Sequence, residues 1–160
     1  MVKILFTVCG VGMGHAGRSA MVIKHLKKKH KIKVISYDDG ARFLKSKFKV
    51  EKLEWFKLFF DKDKYKQDST IFYNLPKLPR VFFKNLVTLT KIVEEFKPEI
   101  VISDFDVNGL YIAKLFNIPS ITISNMHISN FVKLKMKLNE KIAYIFNHKT
   151  MLGAYSPTDY

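Results

Sequence analysis

One cysteine, three arginines and a single tryptophan stand in this chain of 160 residues, and each scarcity excludes something. With Cys9 as the only thiol there is no internal disulfide and no multi-cysteine metal site. Cys9 ends an apolar run where a small residue fits, so it reads as a buried structural thiol. Only Arg18, Arg42 and Arg80 are arginines among 28 basic residues. A specific nucleic-acid reader would favour arginine for bidentate contacts to bases and phosphates. Acidic residues number 14, leaving a net charge of +14. That excess favours anionic membrane surfaces and phosphorylated substrates, with strong salt dependence. The lysines are scattered among Ile, Phe and Asn, a pattern of composition as much as of polyanion binding. No apolar run approaches the roughly 20 residues of a spanning helix. The start lacks the charged segment and cleavage site of a signal peptide. The expected location is therefore cytoplasmic, extending to peripheral contact at the inner membrane face. Neither repeats nor low-complexity linkers divide residues 1–160, and an apolar fraction of 48% suffices for one globular core.

Along the chain, strands alternate with helical patterns. Residues 3–8 are a continuous apolar run before glycines, as in a central parallel strand covered on both faces. A helix is expected from Gly17 to about Lys29, then a strand over 32–37 ended by Asp38-Asp39-Gly40. A short helix near 41–47 and a strand over 50–55 follow. The segment 56–78 has no clean period and reads as a long excursion with one short helix, of the kind that is functional or mobile. A helix over 80–96 stops at Pro98. The clearest βαβ unit then runs from a strand at 99–103, through a helix capped by Asp106 or Asn108 and reaching Asn117, to a strand at 120–123. Residues 129–149 read as a lysine-bearing helix. This is the order of an α/β, Rossmann-like parallel sheet with helices on both faces.

Four of the seven glycines fall between residues 10 and 17, joining the first strand to the first helix. Without Cβ atoms the chain can turn sharply and admit a ligand to its N–H groups, beside a helix start that suits anions. Gly12-Met13-Gly14-His15-Ala16-Gly17 also matches the dinucleotide fingerprint, with Asp38 placed 21 residues beyond Gly17 where an acid would bind a ribose. A nicotinamide-binding domain is one reading on that basis. Against it, the loop is longer than the tight dinucleotide turn, and a histidine would crowd the pyrophosphate. No Gly-Lys-Ser/Thr ends the loop, so the Walker pattern fails. A basic module for nucleic acid or anionic lipid is the non-enzyme alternative.

The loop from Gly10 to Ser19 resembles the first loop of GT-B glycosyltransferases. A second set of motifs carries the same likeness: Ile102-Ser103-Asp104-Phe105-Asp106, then Ala113-Lys114-Leu115-Phe116-Asn117-Ile118-Pro119, then Ser124-Asn125-Met126-His127. The likeness spans most of residues 1–130 and is nearest to a prokaryotic family of glycosyltransferase-like proteins of teichoic-acid type. More distantly, the chain is similar to the lipid-linked N-acetylglucosaminyltransferase of peptidoglycan synthesis. The resemblance implies one half of a GT-B fold, the N-terminal, acceptor-side half of a transferase that uses a nucleotide-sugar as substrate. It implies as partners a sugar acceptor, lipid-linked or part of a cell-envelope glycan, and a C-terminal nucleotide-sugar-binding half. The glycine-rich, acidic ribose-binding region of that second half has no counterpart in these residues, so the chain by itself is expected to be inactive.

Inverting transfer needs a base for the acceptor hydroxyl, and a histidine titrates in the useful range. His15 would stand at the carboxyl end of the first strand, where open α/β sheets place ligands. It is the candidate base, with packing at the helix start as the plainer role. Asp104 faces the same edge, to orient His15, bind an acceptor hydroxyl, or cap a helix. Gly12 and Gly14 offer backbone donors, Arg18 a charge for phosphate, and Asn125 and His127 end the next strand on the same edge. No histidine–carboxylate spacing suggests a metal site in this domain, and no cofactor is implied. The aromatic and basic stretch 55–83, with Trp55, Phe59 and Phe60 among lysines, reads as core aromatics under a solvated face or as a membrane-facing patch.

Overall fold

A computed structural model describes residues 1–62 and 64–124. The helix expected over 129–149 lies outside the described residues. Strands β1 (Lys3–Val8), β2 (Lys31–Ser36) and β3 (Val50–Lys52) alternate with helices α1 (Gly14–Leu26) and α2 (Asp38–Lys45). A two-residue hairpin pair, β4 (Phe60–Asp61) and β5 (Lys64–Tyr65), leads into α3 (Gln67–Asn74), a 3-10 turn and α4 (Leu78–Phe96). The chain returns through β6 (Ile100–Asp104), α5 (Val107–Leu115) and β7 (Ser120–Ile123). Five strands form one parallel sheet in the order β3-β2-β1-β6-β7. The expected Rossmann-like class holds. The order reverses between β1 and β6, so the crevice outside their carboxyl ends is the topological switch point.

Strand parity builds the two layers. Ile4, Phe6 and Val8 point to one face and pack with Ala16, Ala20, Ile23, Ala41 and Leu44 of α1 and α2. Leu5 and Cys9 point to the other, against Leu89, Ile92 and Val93 of α4 and Ile112 and Ala113 of α5. Each large side chain buried this way contributes about 1.5–3 kcal/mol. Cys9 is buried and accepts a long hydrogen bond from the Tyr37 hydroxyl, consistent with a structural thiol.

Several boundaries differ from expectation for identifiable reasons. α1 begins three residues early, with Gly17 N–H donating to the Met13 carbonyl at 2.9 Å. Glycine is a poor helix former, but burial of Ala16 against the sheet overrides that preference. The helix also stops at Leu26 instead of Lys29. Asp38 and Asp39 open α2 where a turn was expected, because Gly40 N–H donates to the Gly10 carbonyl and draws the helix start onto the glycine loop. β3 has only three paired residues. Beyond it, Leu53 N–H still donates to the Ser36 carbonyl, and the chain then leaves the sheet as a strap to residue 59 held largely by side-chain amides. Asn85 accepts from Glu54 N–H and donates to its carbonyl, and Asn74 does the same for Lys57. Asp106 caps α5 by accepting from Gly109 N–H at 3.1 Å, whereas the helix ends two residues before Asn117.

Two glycines of the loop are obligatory. A Cβ on Gly10 would lie 1.9 Å from the Tyr37 carbonyl oxygen, and Gly12 has a φ of +72°. Gly17 meets nothing within 4 Å and sits inside α1. Gly10→Ala should therefore lower stability by about 1–3 kcal/mol or more. Gly17→Ala should raise it by about 0.5–1 kcal/mol. Denaturant midpoints at constant m check both signs, and a stable Gly10→Ala protein would contradict the packing described.

Candidate functional site

Asp104 is the last residue of β6, paired in register with Val8 of β1, and Cys9 N–H donates to its carbonyl. It shares the parity of Ile102, so its side chain points toward the α1 layer. There it lies beneath the first turns of the helix, with no exposure to solvent. His15, Arg18 and Ser19 sit at i, i+3 and i+4 on α1, one face of the helix. All three converge on the carboxylate. His15 Nδ1 is 2.9 Å from Oδ1, Arg18 donates from Nε to Oδ2 at 2.9 Å and from Nη2 to Oδ1, and Ser19 Oγ donates to Oδ2 at 2.5 Å.

These bonds set the protonation of the site. Burial alone pushes the Asp104 carboxyl upward and is the largest single influence. The bonds from Arg18, Ser19 and His15, with the Arg18 charge, together outweigh it and hold the carboxyl below the usual carboxylate range. The bond to Asp104 likewise raises Arg18. An ionised carboxylate can only accept, so His15 Nδ1 carries a hydrogen and donates to it. Arg18 Nη2 lies 3.0 Å from the same Nδ1. Since both are donors, we assign this contact as two N–H groups sharing Oδ1. In the neutral ring this leaves the lone pair on Nε2, and the side chain is one quarter exposed. Its face stacks on Phe105, centroids 5.0 Å apart and planes 22° apart. Phe105 adopts a left-handed φ of 53°, a conformation costing on the order of 1–3 kcal/mol for a bulky residue. Its neighbour Asp106 is fully enclosed, and burial pushes its carboxyl up despite the bonds from Asn108 and Gly109.

The N-terminus of α1 is open. Met13 makes no side-chain cap, and the first turn carries no acidic residue, so its N–H groups remain available to an anion. Gly12 and Gly14 have nothing near the positions a Cβ would occupy, leaving the surface above the turn unfilled. Beside it runs a cleft of about 1130 Å³. It extends from Val11 and Gly12 past Asp38 and along the strap to Trp55 and Phe56, with Arg80 and Lys84 of α4 and Lys77 of the preceding turn on its far wall. Trp55 stacks on buried Tyr37 at 4.0 Å, which stiffens the cleft floor.

Of the residues singled out in the sequence, Gly12, Gly14, His15, Arg18 and Asp104 come together at this edge. Arg18, expected to meet phosphate, has its Nε and Nη2 on Asp104, while nearly half of its side chain stays exposed. Asn125 and His127 lie outside the described residues. Ser19 was missed, because a helix expected to open only at Gly17 does not place His15 and Ser19 on one face. Phe105 was quoted only as part of a motif. Nothing in its residue type announced a stacking role.

The described architecture, a parallel Rossmann-like sheet with its polar cluster at the switch point, is the class of domain from which GT-B glycosyltransferases are built. It superposes on the rhamnosyltransferase SpnG of spinosyn with a TM-score of 0.54 at 10% identity, over 76% of this chain and 34% of that one. It matches MurG of Acinetobacter baumannii with a TM-score of 0.53 at 15% identity, over 83% and 40%. A UDP-N-acetylglucosamine 2-epimerase gives a TM-score of 0.56 at 16% identity, over 99% and 40%. The chain thus spans well under half the length of these structures, and at such identities the likeness is one of fold. No protein of curated function matches it in sequence. The family model for glycosyl transferase family 1 matches residues 2–158, and the chain belongs to that family.

A pH experiment tests the cluster. Asp104 has a folded pKa below its unfolded value, near 3.9. Its stabilisation is complete above about pH 5 and is lost as pH falls through the lower folded value. Asp104→Asn should reduce stability by about 1–3 kcal/mol near neutrality. The difference from wild type should shrink below about pH 4. Urea midpoints across pH measure this, and a gap independent of pH would contradict the ionised assignment.

Proposed function

We propose that this chain is the acceptor-binding half of a glycosyltransferase that moves a sugar from a nucleotide-sugar to a hydroxyl acceptor with inversion. The observation that supports it most is the His15–Asp104 pair at the switch point. With Nδ1 held by the carboxylate, Nε2 presents a lone pair at the open edge of the sheet. In the proposed step Nε2 takes the acceptor hydroxyl proton as the acceptor oxygen bonds to the anomeric carbon. The bond from that carbon to the nucleoside diphosphate oxygen breaks, and its electron pair leaves with the diphosphate. Asp104 stabilises the imidazolium that forms. The uncapped start of α1, with the N–H groups around Gly12 and Gly14, lies where a phosphate could sit. Asn125 and His127, which follow β7 in sequence, complete the acceptor side in this reading.

The nucleotide-sugar is held by a second, C-terminal half, and this domain supplies neither metal nor cofactor. The cleft beside the glycine loop receives the acceptor, a cell-envelope glycan or lipid-linked sugar, at the inner face of a membrane. This keeps the teichoic-acid-type resemblance as the finer assignment. Family membership favours this reading over a nicotinamide-binding domain, and the scarcity of arginine argues against a nucleic-acid module.

In a polypeptide carrying both halves, His15→Ala should lower kcat by about 10²–10⁴-fold with a much smaller change in KM. Steady-state transfer assays measure the split. Turnover within a factor of about two of wild type would remove His15 as the base. NADH fluorescence should show no binding to the chain, and saturable binding would revive the dinucleotide reading.

A further inference from the structure

The segment from α3 to the middle of α4 leaves six large apolar side chains at least half exposed to water. Phe72 is 77% exposed, Val87 68% and Phe83 62%, and Leu75, Leu78 and Phe82 are each exposed by half or more. They fall within 16 consecutive residues of one helical stretch. A run of this kind marks an interaction surface.

Position and charge say what covers it. α4 leads through Lys97 and Pro98 into the amino end of β6, so its first turns lie toward the carboxyl edge of the sheet. That is the edge of His15, and Lys77, Arg80 and Lys84 wall the cleft there. Lys57 and Lys77 lie over the Tyr73 ring, 5.7 and 3.5 Å from its centroid. Lys84 pairs with Glu54. Arg80 is exposed. Lysine is depleted in the cores of protein–protein interfaces. Lysine and arginine interleaved with Phe and Leu, aliphatic stems over apolar surface and charges at the rim, compose a helix lying in a bilayer interface. A net charge of +14 adds attraction to anionic lipid. Among the described residues no helix is long and apolar enough to cross a membrane, which leaves a surface-lying mode for this segment.

We propose that residues 71–87 dock the domain onto an anionic phospholipid surface. Phe72, Phe82 and Phe83 enter the acyl–headgroup boundary, while Lys77 and Arg80 meet lipid phosphates. The docked domain holds the mouth of the cleft against the membrane. Docking itself assumes nothing about transfer. Only its purpose, presenting a lipid-linked hydroxyl to His15, rests on the function proposed above.

The test is flotation of the full 160-residue chain with vesicles of phosphatidylcholine containing about 30% phosphatidylglycerol, at about 0.1 M salt. Wild type should float and should bind pure phosphatidylcholine far more weakly. The triple variant Phe72→Ser, Phe82→Ser, Phe83→Ser removes only exposed rings. It should keep its circular dichroism and thermal midpoint yet lose about tenfold or more in vesicle affinity. Failure of wild type to float, or equal flotation of the variant, would overturn the proposal, since charge alone would then account for any binding. A wild-type dimer that the variant converts to monomer in sedimentation would overturn it too, giving the patch to a second copy. In a two-lobed polypeptide the triple variant should leave transfer to a water-soluble acceptor unchanged. His15→Ala should leave flotation unchanged, so the two proposals fail separately.

Discussion

A carboxylate sealed from water at the end of a central strand organises this domain. Asp104 would be costly to bury alone, and three side chains from one helix turn offset that cost. The same contacts fix the first turns of α1 against β6 and hence the path of the glycine loop between β1 and α1. They also select one imidazole tautomer. Stability and chemistry are thus coupled: the carboxylate held ionised in the folded state is the same group that engages Nδ1 of His15. Arg18 neutralises a charge that would otherwise oppose burial, and the Phe105 ring, held in a left-handed conformation, covers one face of the histidine.

The glycine loop divides into two functions that look alike in sequence. Gly10 is required because Tyr37 and the start of α2 press against it, and Gly12 because the chain turns through positive φ. Gly14 and Gly17 answer to no packing constraint. Their missing side chains leave space above the helix start, the kind of space a ligand would need. Past Leu53, whose N–H still meets Ser36 of β2, the adjoining strap leaves the sheet, and the amides of Asn74 and Asn85 replace the missing ladder. A cleft can therefore persist between the strap and α4 without sheet pairing to close it.

Much of the fold was legible because strand parity and helix period are written in apolar residues. The runs 3–8 and 99–103, the latter one residue ahead of β6, the helix over α4 and the strand Ser120–Ile123 follow from them directly. The site was half legible. His15 and Asp104 could be placed at one edge from their positions after β1 and at the end of β6. Ser19 could not be distinguished from an ordinary helix serine until the parity of Asp104 was known. Boundaries failed where a tertiary contact overrode local preference, as with Gly14 opening α1 and Asp38 opening α2. The strap was unreadable because amide side chains that stand in for a strand leave no periodic trace. The exposed face of α4 reads as ordinary amphipathic sequence. Only the structure shows that Phe82, Phe83 and Val87 lie outside the buried arc.

The tautomer of His15 tests the central claim most directly. In a chain labelled with ¹⁵N histidine, the imidazole shifts at neutral pH should show Nδ1 protonated and Nε2 bare, and Asp104→Asn should disturb that pattern. A ring protonated on Nε2 in the native chain, unaffected by changing Asp104, would mean that the carboxylate does not orient the histidine, and the proposed mechanism would lose its base.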